Sequence, residues 1–140
     1  MNHPVTEDPN LVLTEQLTEK LGIQITEWEA KRLVGTMPVA GNRQPYGLLH
    51  GGASAAFAET LGSIAAVMNA GEGRIAVGLE LSCTHHRAAR EGLVTGVCTP
   101  LHVGRTTATF EIVISDESDK RVCTARLTCV SRDAPPGAKG

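Results

Sequence analysis

Glu59 is the only charged residue among the sixteen from Ala53 to Met68, ASAAFAETLGSIAAVM. A helix that is apolar nearly all round is expected to be buried. A carboxylate inside it is costly unless it is paired or used in chemistry. Ser63 lies four residues on and shares the helix face of Glu59, whereas Ser54 and Thr60 lie off that line. Just before this stretch stands His50-Gly51-Gly52. The first N–H groups of a helix have no internal partner and carry partial positive charge, and glycine lets a ligand come close to them. A carbonyl oxygen aimed at those amides would be polarised as in an oxyanion hole. Glu59 lies about 12 Å further along the helix axis, too far to act at the Gly51 of its own chain. A site shared with a second subunit is therefore expected.

The elements that must position these groups follow from pattern. Residues 1–9 hold two prolines and little periodicity and are expected to be a loose tail. Asn10 can cap a short helix with Leu11, Leu13 and Leu17 as its apolar points and Gly22 at its end. Residues 23–28 and 30–37 suggest two strands, the second stopped by Pro38. A Gly-, Pro- and Asn-rich loop, VAGNRQPYGLL, leads to a helix expected over Ala53 to Asn69. Strands are expected over 74–84, 93–102, 105–115 and 121–131, with Pro100 marking a bend or an edge. In the third of these, Ala108, Phe110, Ile112 and Ile114 alternate with Thr107, Thr109, Glu111 and Val113. One helix packed into an antiparallel sheet is an α+β architecture. A single domain over 10–132 with a short tail over 133–140 is expected.

Composition narrows the function classes. Lys and Arg total 13 against 15 Asp and Glu, and aromatics make up 3%. Neither a basic surface nor a stacking platform for nucleic acid is indicated. Cys83, Cys98, Cys123 and Cys129 form no C-x-x-C pair and fit no zinc spacing, so they are read as reduced strand residues of a cytoplasmic protein. His85 and His86 are adjacent at a strand end, which points them to opposite faces and away from a shared metal. No metal site is expected. The Ala-rich helix is too short and too interrupted by Glu59 to be a membrane span, and no membrane partner is expected.

The stretch GLLHGGASAAFAETLGS resembles the signature of hotdog-fold acyl-CoA thioesterases, and ELSCTHHRAAREG and GVCTPLHVGR match as well. The resemblance covers residues 10–132. It is to the glutamate branch, with its phenylacetyl-, 4-hydroxybenzoyl- and 1,4-dihydroxy-2-naphthoyl-CoA thioesterases and the proofreading thioesterase of enterobactin synthesis. No Asp lies between Val39 and Gly52, where the aspartate branch would carry its acid. The resemblance implies a curved antiparallel sheet wrapped around one long central helix, working as a dimer of hotdog dimers. It implies that Glu59 attacks the thioester carbonyl or activates water, and that Gly51 polarises that carbonyl. Gln44 and His50 would orient the thioester from the opposite subunit, and Ser63 would place the water. Gly78, His85, His86, Arg87 and Ala88, together with His102, Val103, Gly104, Arg105, Thr106 and Thr107, match CoA-binding positions. His85 would also contact the acyl ring or the thiol end. No cofactor is implied, because CoA belongs to the substrate and product. An aromatic acyl-CoA is the implied substrate, an acyl carrier protein a further partner, and menaquinone synthesis one pathway of the branch.

The residue types suit that chemistry on their own. A thioester is a good acyl donor, and a carboxylate can act on it as general base or as nucleophile through a mixed anhydride. Each residue also has a structural reading. Glu59 could pair with an Arg or Lys, His50 could cap the helix, and Ser63 could simply be small. Gln44 could be an exposed loop amide, the arginines a solvated rim, and Phe57 and Met68 core. A non-catalytic acyl-CoA-binding module would keep the fold without hydrolysis. A hydratase would need an Asp near His50, and none is present.

Overall fold

The computed structural model describes residues 14–135. A short helix α1, Leu17–Leu21, is followed by β1 (Gln24–Glu29) and β2 (Arg32–Pro38). The long helix α2 (Gly51–Ala70) comes next, then β3 (Arg74–His85), β4 (Leu93–Val103), β5 (Thr107–Ser115) and β6 (Arg121–Asp133). All strand pairs are antiparallel, in one six-stranded sheet ordered β1-β2-β4-β5-β6-β3. The curved sheet wraps α2, as expected from the α+β reading. Helix α1 begins later than the Asn10 cap would place it: residues 14 and 15 are bends and Gln16 is the N-cap. Asn10, Leu11 and Leu13, like the tail over 1–9, lie outside the described residues. Gly22 ends the helix in the left-handed conformation, φ 76°.

The alternation in β5 holds in full, with Ala108, Phe110, Ile112 and Ile114 buried. They meet Phe57, Ala58, Leu61, Ala65 and Ala66 of α2 in one core. Glycines set the helix-to-sheet distance. A Cβ on Gly62 would lie 2.5 Å from Leu127 Cδ2, and one on Gly96 would lie 2.6 Å from Leu61 Cδ1. The small residues are thus what let Phe57 and Leu61 bury fully, each worth about 1.5–3 kcal/mol. Phe57 is wholly buried and belongs to this core. Pro100 sits beyond the last β2 partner, at a bulge where Pro100 pairs Phe110 and His102 pairs Thr109. Both readings of that proline hold, because β4 is locally an edge there and bends. The four cysteines are free and lie on strands. Burial pushes the Cys98 and Cys123 thiols up to about 12, Cys98 with help from Cys129 and Cys123 with help from Cys83.

No helix of the described residues is long and apolar enough to cross a membrane.

Candidate active site

The start of α2 is built by its own cap and by the loop before it. His50 is the N-cap, in extended conformation, and its Nδ1 accepts the Gly52 N–H at 2.8 Å. The capping reading of His50 is therefore realised, and it makes Nδ1 the acceptor and leaves Nε2 to carry the proton. The His50 carbonyl accepts from both Ala53 N (3.0 Å) and Ser54 N (3.2 Å). Among the described residues the Gly51 N–H has no partner, so it is the free donor of the helix start. His85, the last residue of β3, lies against it. A Cβ on Gly51 would be 3.1 Å from His85 Nε2.

The loop of residues 39–50 is held by a residue that sequence reasoning missed. Asn42 is 8% exposed, and its Nδ2 donates to Leu21 O and Pro38 O, both at 2.8 Å. Its own carbonyl accepts the His50 N–H at 2.8 Å. The side chain thus ties the loop to the end of α1 and the end of β2, and the Asn42 backbone ties it to the helix cap. An Asn in a Gly- and Pro-rich loop signals only a turn; its bond to Leu21, 21 residues away, lies beyond any local pattern. Asn42→Ala leaves two carbonyls without their donor. It is expected to cost about 2 kcal/mol, read as a melting temperature about 5–10 °C lower, with a weaker enzyme because the loop that carries His50 loses its two side-chain ties. Gln44 is half-buried. Its Oε1 accepts from Tyr46 N and Leu48 N and closes the 44–48 turn, so it is not simply an exposed amide.

A pocket of about 350 Å³ opens at this end of α2, lined among others by Gln44, Gly51, Ser54, His85, His86 and Arg87. Ala88 also lines it. His85 and His86 point to opposite faces, as expected: the His85 ring lies against Gly51 of α2, and His86 turns to Thr124 on the other face of β6, while both border the pocket. His86 Nε2 meets Thr124 Oγ1 at 2.9 Å. Arg87 Nε lies 3.4 Å from Asp116 Oδ2. The Asp116 carboxyl is held below the usual carboxylate range, chiefly by the Lys120 N–H it accepts, with the Ser118 N–H and the Arg87 charge adding.

Glu59 is not buried within the chain, contrary to the expectation from its apolar surroundings. The buried face of α2 is Ala53, Ser54, Phe57, Ala58, Leu61, Gly62, Ala65 and Ala66, and Glu59 is exposed. The reason is topological. Glu59 points toward β3, the edge of the sheet, where no further strand covers it. Among the described residues it makes no ion pair, so the structural-pair reading does not apply. Its carboxylate rests on Gly78: a Cβ there would be 2.6 Å from Glu59 Oε2. Gly78 pairs with Cys129 at a bulge that leaves Leu79 unpaired. Burial raises the Cys129 thiol, and the nearby Glu59 charge adds to it. Ser63, half-buried, follows one turn later on α2.

The other stretch of predicted CoA contacts lies elsewhere. His102 and Val103 end β4, and Gly104, Arg105 and Thr106 turn into Thr107 of β5. This turn is closed by Gly104 N to Thr107 O (2.8 Å) and clamped by Arg74, whose Nη2 donates to Arg105 O. Val103 and Gly104 border Ala66, Asn69 and Ala70, at the far end of α2 from Gly51. One chain therefore brings Gln44, Gly51 and His85–Ala88 together. It does not bring them to Glu59 or to His102–Thr107.

Residues 46–123 match the family model described as the thioesterase superfamily. The chain is 50% identical over 127 residues to the proofreading thioesterase EntH of Cronobacter turicensis, covering 90% of this chain and 93% of that one. It is 55% identical over 108 residues to the EntH of Klebsiella pneumoniae, covering 76% and 79%. A solved thioesterase of Haemophilus influenzae superposes with a TM-score of 0.82 at 38% identity, over 86% of this chain and 85% of that one.

Proposed function

The chain belongs to the thioesterase superfamily, and on that premise we propose that it hydrolyses aromatic acyl-CoA thioesters with Glu59 as its catalytic carboxylate. The observation that carries this reading is the free Gly51 N–H, presented to a pocket beside His85 and Gln44. That is where a thioester carbonyl would be polarised as negative charge develops on its oxygen. Glu59 would then attack the carbonyl carbon or draw the proton from an attacking water, CoA leaving as the thiolate. Ser63 is one turn along the same face and would hold that water.

The unit that completes the site is a dimer. β3 is an unpaired edge and exposes Val77 (53%) and Leu79 (66%). Such an edge is a template for pairing with another strand. Pairing two β3 edges about a twofold axis would lay the two α2 helices side by side and cover Glu59. Each carboxylate would then stand near the other chain's Gly51. The same contact would bring His102–Thr107 of one chain toward the CoA of a substrate seated in the other chain's pocket, where Arg87 and Arg105 would meet its phosphates. Two such dimers would pair into the tetramer of the branch that the chain resembles, at work in the cytoplasm. An acyl group on a carrier protein presents the same pantetheine thioester and is the second substrate proposed.

Free-thiol release from benzoyl-, 4-hydroxybenzoyl-, dihydroxynaphthoyl-, phenylacetyl-, hexanoyl- and palmitoyl-CoA tests the reading. The aromatic esters are expected to lead. Faster release from the aliphatic esters would overturn the aromatic preference. Saturable binding with no thiol release from any ester would leave an acyl-CoA-binding module instead.

A further inference from the structure

Ser54 is 2% exposed and is one of only two buried polar residues of the described chain. Its hydroxyl makes no hydrogen bond. The reason lies one turn back. The carbonyl that a helical serine would normally use is that of His50, and it already accepts two backbone N–H groups. Thr60, on the same helix, shows the contrast: its hydroxyl donates to Ala56 O at 2.7 Å. Among the described residues no side-chain oxygen is both sealed and unpartnered. The Ser54 hydroxyl therefore keeps an opening, and the space that Ser54 lines is the pocket at Gly51. Alanine would fill this helix position without stranding a hydroxyl, and an unmet buried hydroxyl is unfavourable for folding. In the free pocket water meets this hydroxyl, and a bound ligand that displaces the water takes its place.

We infer that Ser54 is a second hydrogen-bond donor to the substrate's thioester carbonyl, acting beside the Gly51 N–H. Ser54 and Gly51 are three residues apart and so share a helix face. Helical side chains lean toward the N-terminus, so the Ser54 hydroxyl leans back over the turn that presents Gly51. The two donors converge on one point of the pocket, and an oxygen there receives both. As the carbonyl becomes an oxyanion both bonds strengthen, so the contribution appears in kcat. This inference rests on the thioesterase reading above.

The test is Ser54→Ala, with Ser54→Cys beside it as a near-isosteric weak donor. Thiol release from benzoyl-CoA is expected to fall about tenfold or more in kcat for Ser54→Ala, with KM little changed and the melting temperature unchanged or slightly higher. Ser54→Cys is expected to show a similar loss. Wild-type kcat in Ser54→Ala would overturn the inference, and so would a kcat loss that tracks a lower melting temperature. If wild type releases no thiol from any ester, the thioesterase reading fails by itself. The carbonyl contact is then decided by binding of the benzoyl-CoA ketone analogue with CH₂ in place of sulfur. Affinity several-fold weaker in Ser54→Ala, with free CoA bound equally by both proteins, upholds the contact; equal affinity for the ketone overturns it.

Discussion

Glu59→Gln is expected to lower kcat for aromatic acyl-CoA hydrolysis by two decades or more while leaving the melting temperature where it is. The side chain is exposed in the chain and makes no ion pair among the described residues, so its charge contributes little to folding. Gln keeps the size that fits over Gly78, where a Cβ would lie 2.6 Å from the carboxylate. What Gln removes is basicity and nucleophilicity, and a positioned base contributes about 10²–10⁴ in rate. Steady-state thiol release and thermal melting on the same preparations check both halves. Wild-type kcat in Glu59→Gln would take the carboxylate out of the chemistry. Equal losses of kcat and of stability would make its role structural. Single turnover in H₂¹⁸O adds to this for an active enzyme: label in Glu59 shows a mixed anhydride opened by water at the glutamyl carbonyl, an outcome that a general base does not give.

Mixing two inactive variants is expected to restore activity. Glu59→Ala lacks the carboxylate, and Gly51→Val blocks approach to the free N–H, because a Cβ there already meets His85 Nε2 at 3.1 Å. The two positions are eight residues apart on one helix, about 12 Å of rise, while a catalytic group must come within about 3 Å of the atom it serves. If each site takes Glu59 from one subunit and Gly51 from the other, a mixed dimer holds one site with both defects and one with neither. Random exchange should then recover about a quarter of wild-type activity. Co-expression with two different tags isolates the mixed species, in which one site of the two is intact and thiol release is expected at about half of wild type. A mixed dimer no more active than either parent would place Glu59 and its donor in the same chain, or the dimer contact on another face.

The strands and the helix were legible because their signals are local. β5 alternates apolar and polar side chains at period two, and a sheet with one covered face allows no other register. The family stretch from Gly47 to Ser63 was legible as a fixed string, and it lies within the match over residues 46–123. Gly51, Gln44 and His85–Ala88 were all named in advance and meet in one pocket. The cap on Gly52 by His50 was one of two open readings.

Sequence alone determined which residues could do chemistry: one carboxylate in an apolar helix, a glycine-opened helix start and a thioester-type signature. It did not determine which way the helix faces. With small residues on every side, α2 has no apolar stripe to reveal its packed face, and that face is chosen by fit of Gly62 against Leu127 and Gly96 against Leu61. The choice turned Glu59 to the sheet edge instead of the core and turned Ser54 to the pocket wall. It also left Asn42 to hold the loop to the Leu21 carbonyl, 21 residues back in the chain. Burial and hydrogen-bond supply are set by neighbours distant along the chain, and only the folded arrangement says who those neighbours are.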